Sequence, residues 1–161
     1  MAQDLVTDAH LAAGRDYLVA LRAHGVEPEG LCWMAVAGRE EPQLALITSL
    51  VDRVGPGDIQ AVLFKAYDAA LTPRSIDPWI VSLFSPSTAF AVGLRRAMLM
   101  LHAADAQEAV RPGLHIEVVW HVGGAEVRQS WVLVWPIAKP KPTEQLRGWR
   151  RFVADVEGVA A

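Results

Sequence analysis

The chain has 161 residues, 52% hydrophobic and 20% charged, with a formal net charge of −3. That length carries one domain with a full core, 1–161, and the acidity excludes a globally basic nucleic-acid binder. Cys32 is the single cysteine, so an internal disulfide and a multi-cysteine zinc site are both excluded.

The N-terminal Met-Ala-Gln-Asp-Leu-Val-Thr-Asp carries acid where a signal peptide needs base, and it lacks an apolar stretch. Together with the lone cysteine it predicts a reducing, cytoplasmic setting. Thr7 or Asp8 can cap a first helix running to His24, with Leu11, Gly14, Leu18 and Leu21 near one stripe. Gly25 suits a left-handed C-cap, and Glu27-Pro-Glu-Gly30 a turn.

Leu31 to Ala37 is apolar on both parities, as in a strand covered on both faces. Leu44 to Val51 has two readings. Leu44, Ile47, Leu50 and Val51 fit a helical period, whereas Ile47, Thr48 and Val51 are β-branched and a hairpin with the preceding strand is economical. The strand is preferred. Asp58 then caps a helix with Ile59, Val62, Leu63, Ala66 and Ala70 on one side, ended by Thr72-Pro73.

Pro78 to Leu94 is uncharged, but Pro86 and four hydroxyl residues interrupt it, and a membrane span needs about 20 mostly apolar residues. It reads as a buried strand, Trp79 to Phe84, and a helix capped by Ser85 with Pro86 in its first turn. That helix runs to about Ala104. Arg111-Pro112-Gly113 is a turn into the segment 114–135. Two strand-like runs there flank Gly123-Gly124, a pair suited to the positive φ of a tight hairpin. Pro136, Pro140 and Pro142 stiffen a connector, and Thr143 caps a last helix bearing Leu146, Trp149, Val153 and Val156.

The predicted order is α-β-β-α-β-α-β-β-α: an α+β fold with four helices and a mostly antiparallel sheet of about five strands.

The hairpin holds the main candidates for chemistry. His115, Glu117 and His121 share one strand face, the arrangement an acid–base or metal site requires. At about 3.3 Å per residue, however, His115 and His121 lie roughly 20 Å apart, and zinc ligands bind at about 2.0–2.2 Å. No metal site is expected. A two-residue turn sets His121 opposite Glu126, Val119 opposite Arg128 and Glu117 opposite Ser130, which makes a solvated face of mixed charge. The other face gathers Trp120, Trp131 and Trp135, with Gln129 as its single polar group. It packs the core or walls a cleft for an apolar ligand.

Three further features are weaker. The turn Phe84-Ser-Pro-Ser-Thr88 offers amide donors at a helix start but lacks a phosphate-loop or nucleophile-elbow pattern. Cys32 sits in an apolar strand without a basic neighbour, as a buried structural thiol does. From 139 to 151, Lys139, Lys141, Arg147, Arg150 and Arg151 stand against Glu144 alone, a local +4.

Three functions follow. The first is a non-catalytic interaction module that binds itself as a homo-oligomer or a protein partner, with no cofactor. The second is a small-molecule binder or enzyme with a cleft against the hairpin, using His115, Glu117, His121 and Arg128. The third is contact with an acidic partner or nucleic acid through Arg147, Arg150 and Arg151.

Overall fold

The computed structural model describes residues 5–108, 117–137 and 139–160. Among them the chain forms an α+β fold of five helices and six strands. In chain order these are α1 (Asp8–Ala23), β1 (Gly30–Val36), β2 (Gln43–Ile47), α2 (Leu50–Arg53), α3 (Pro56–Asp68) and β3 (Val81–Phe84). There follow α4 (Ala89–Glu108), β4 (Val119–Val122), β5 (Ala125–Arg128), β6 (Val132–Val134) and α5 (Pro142–Ala160). The sheet order is β3-β2-β1-β5-β4, with β6 also paired to β1. Among the described residues only β2 and β3 run parallel; every other pair is antiparallel.

Strand β1 is the centre of the sheet, and its side chains alternate between two cores. Leu31 and Trp33 join Leu44 and Leu46 of β2 beneath α1, α3 and α5. Cys32 and Met34 join Ala45 and Ile47 beneath Phe90, Ala91 and Leu94 of α4. Helices thus cover both faces. This is why β1 and β2 are apolar at both parities: a strand between two helical layers has no solvent face.

Thr7 is the N-cap of α1. Its hydroxyl accepts the His10 N–H, and the His10 ring accepts the Thr7 N–H at 3.1 Å. Gly25 follows the helix at φ 94°, and its backbone lies directly against Gly148 of α5. His24 Nδ1 and Asp155 Oδ2, 2.8 Å apart, tie the same helix end to α5.

Several boundaries differ from those read in the sequence. The 44–51 strand ends at Ile47, because the Ser49 N–H is taken by Glu29 and the chain turns into α2. Helix α3 starts at Pro56, two residues before the expected Asp58 cap, and ends at Asp68. Gly55 and Ala70 take positive φ on either side of it, so backbone geometry rather than a side-chain cap or Pro73 sets its limits. Trp79 is not in a buried strand: it lies in a 3-10 turn, Pro78–Ile80, and is 76% exposed.

Ser85 does not cap α4. Its hydroxyl bonds Asp52 at 2.6 Å, and Thr88, whose hydroxyl accepts the Ala91 N–H, begins the helix instead. Helix α4 extends to Glu108 and α5 begins at Pro142, one residue before the expected cap. The expected 111–113 turn lies outside the described residues.

Candidate functional site

The Gly123-Gly124 hairpin forms with the register its spacing requires. Both glycines have positive φ, at 56° and 80°. Val122 pairs with Ala125, His121 with Glu126, Trp120 with Val127 and Val119 with Arg128. The regular ladder stops there. Residues Gln129–Trp131 form a 3-10 turn before β6, so the second arm of the hairpin is two strands rather than one.

That turn reverses the expected facing of the tryptophans. Val127 lies in the core under α4, but Trp131 has passed to the opposite core and is 4% exposed. Trp120 and Trp135 remain on the α4 side as a T-shaped pair, with centroids 5.6 Å apart. The three tryptophans are therefore not one wall. Each is at least partly covered by this chain, because a 3-10 turn shifts side-chain phase where a strand would alternate. Arg95 of α4 anchors the next residue, donating to the Pro136 carbonyl at 3.1 Å. Gln129 contributes backbone: its N–H donates to the Val118 carbonyl at 3.0 Å.

The polar face is open. Glu117 accepts a hydrogen bond from Ser130, and Glu126 accepts one from Arg128 at 3.1 Å. Arg128 also lies over the Trp131 ring, 5.0 Å from its centroid. Glu117 and His121 are exposed and Val119 is 43% exposed. His115 lies outside the described residues. Among the described residues no group of three metal-ligating side chains comes together.

Strand β4 forms one edge of the sheet. The Val118 carbonyl turns inward to Gln129, and successive residues of an antiparallel strand turn their backbone groups to opposite sides. Glu117, Val119 and His121 therefore direct N–H and C=O to the free edge. Among the described residues nothing bonds them there. Edge strands in proteins are commonly protected by Lys, Pro or a bulge; Val119–Val122 has none of these.

A second feature was not foreseen. Between the sheet and the start of α4 lies a cleft of about 210 Å³, which the described residues of the hairpin close only with Gly123 and Ala125. Its apolar wall includes Met34 and the stacked rings of Phe84 and Phe90, whose centroids are 4.5 Å apart. Its polar groups are Arg39, Gln43 and Ser82. Arg39 donates to Gln43 Oε1 at 3.0 Å, and Gln43 is buried. Glu117, His121 and Arg128 do not line this cleft. Arg39, Phe84 and Phe90 lie on three separate segments, so no spacing in the sequence could announce them.

The basic stretch divides. Arg151 donates to the Ala23 carbonyl at the end of α1, a structural role. Arg147 and Arg150, with Thr143 and Leu146, line a shallow cleft of about 350 Å³ along α5. Cys32 is fully buried, and burial pushes its thiol up to about 12. No helix among the described residues is long and apolar enough to cross a membrane. No family model, curated protein or solved structure matches the chain.

Proposed function

We propose that the protein is a self-associating interaction module, and that two copies pair antiparallel along β4. The observation that carries this is the edge of β4, unbonded among the described residues, whose outward-turned residues are Glu117, Val119 and His121. Their order is self-complementary. A two-fold axis through Val119 sets Glu117 directly opposite His121 of the partner subunit, twice. It sets Val119 against Val119 of the partner subunit. Centring the axis on Glu117 or His121 would instead oppose like groups. On the other face the same register puts Trp120 against Val118 of the partner subunit.

Each such hydrogen-bonding or aromatic–β-branched pair contributes about 0.2–1 kcal/mol. The backbone hydrogen bonds add to this, and loss of translational and rotational freedom opposes it. The balance for a single short edge is a weak, reversible dimer, with Kd in the roughly micromolar-to-millimolar range.

Sedimentation velocity over about 10 µM to 1 mM, a range chosen to span that affinity, tests the pairing. Val119→Pro removes an N–H that points away from β5, so the hairpin itself keeps its ladder. Val119→Lys places two ammonium groups together on the axis. Both variants should sediment as monomers with unchanged far-UV circular dichroism, while the parent chain shifts toward dimer with concentration. A parent chain that stays monomeric throughout, or variants that dimerise like the parent, would overturn the reading.

A further inference from the structure

We infer that the cleft between the sheet and the start of α4 binds a small aromatic carboxylate. The inference is independent of edge pairing, since β4's outward groups take no part in it.

Three properties of the cleft select that class. The first is its wall. Met34 is 3% exposed and Phe90 4%, and Phe84 stacks on Phe90 with an interplanar angle of 24°. A stacked pair presents ring faces and edges on which a third ring can pack.

The second is charge. Among the described residues Arg39 is the one charged side chain on the lining, and no carboxylate lines it. Glu40 and Glu41 are exposed on the adjoining loop and do not line the cleft. Arg39 donates one N–H to Gln43 and pairs with no acid among the described residues. A guanidinium has five N–H donors in a planar fork, so the remaining donors suit a carboxylate. The backbone that carries the arm is also held: the Arg39 main-chain N–H bonds the Val36 carbonyl at 3.1 Å, in a turn where Gly38 takes φ 82°. Ser82, half-buried on β3, adds a hydroxyl to the same lining.

The third is size. A cleft of about 210 Å³ has room for one ring and a short acid arm. The lining joins apolar side chains to a few polar groups that can fix a ligand's orientation, as small-molecule sites do.

The test uses the full chain labelled with ¹³C at its methionine methyls, titrated with phenylacetate, phenylacetamide and acetate. Phenylacetate should move the Met34 methyl resonance saturably and leave that of Met100, exposed on α4, in place. Phenylacetamide has the ring without the charge, and acetate the charge without the ring. Both should bind at least about tenfold more weakly, the scale of one lost charge-assisted contact. Arg39→Gln, a change at an exposed loop position whose folding far-UV circular dichroism checks, should weaken phenylacetate by a similar factor. No saturable Met34 shift at millimolar phenylacetate would overturn the proposal. So would equal affinity for acid and amide, or an Arg39→Gln variant that binds like the parent.

Discussion

Replacing Gly148 by alanine sets two effects of opposite sign against each other. Glycine inside a helix costs about 1 kcal/mol relative to alanine, so on propensity alone Gly148→Ala stabilises α5. The tertiary structure argues otherwise. A Cβ on Gly148 would lie 1.9 Å from the Gly25 carbonyl oxygen and 3.0 Å from its carbonyl carbon. Close C···O contacts settle at about 3.3–3.6 Å, so α5 must retreat by more than about 1 Å. Gly25 cannot yield easily, because it holds φ 94° while the chain leaves α1.

Helix α5 brings Trp149, Phe152 and Val156 into the core at 7%, 0% and 1% exposure. Burial of each is worth about 1.5–3 kcal/mol, and a radial gap of about 0.5–1 Å forfeits a quarter to a half of the contact energy. The packing loss is therefore about 1–4 kcal/mol, and the net effect about 2 kcal/mol of destabilisation after the propensity gain. For a chain of this size that lowers Tm by roughly 4–8 °C.

Gly158→Ala, in the same helix with open space around its Cβ, is the control and should gain up to about 1 kcal/mol. Urea unfolding followed by far-UV circular dichroism measures both variants. A Gly148→Ala variant as stable as the parent, or more stable, would refute the close crossing of α1 and α5.

Two further predictions concern buried groups. The folded-state Cys32 thiol, pushed up to about 12 by burial, holds its proton more tightly than in the unfolded chain, where it titrates near 8.5. Its contribution to stability is full below about pH 8.5 and declines as pH rises toward the folded value, by at most about 1.4 kcal/mol per pH unit. Between pH 9 and 10 the parent should thus lose about 1 kcal/mol more than Cys32→Ala; parallel pH profiles in urea titrations would refute this. The Glu29 carboxylate, 8% exposed, accepts the Ser49 N–H at the start of α2 and the Gln145 amide of α5 at 3.3 Å. Glu29→Ala orphans both donors and should cost about 2–4 kcal/mol, with faster amide exchange at Ser49. A loss below about 0.5 kcal/mol would mean that water replaces the carboxylate without penalty.

The sequence by itself determined the α+β class and the broad element order, α2 and the separate strand β6 aside, and much of the hairpin. Helices α1 and α3 announce themselves through a 3.6-residue apolar period, because each buries one stripe. Gly123-Gly124 sets the register of β4 on β5, because a two-residue turn leaves a single pairing.

Tertiary structure decided what local pattern could not carry. Residues Gln129–Trp131 look like strand in sequence, yet they turn in 3-10 form and send Trp131 to the opposite core from Val127. Alternation holds only while the ladder continues, and pairing with β1 at two separate places, through β5 and β6, interrupts it. Which strand lies at the edge depends on the spatial order β3-β2-β1-β5-β4, a property of the whole sheet. The cleft of Arg39, Phe84 and Phe90 exists only because a turn, a strand end and a helix start meet in space. Side-chain period records what each element buries, but not which elements end beside one another.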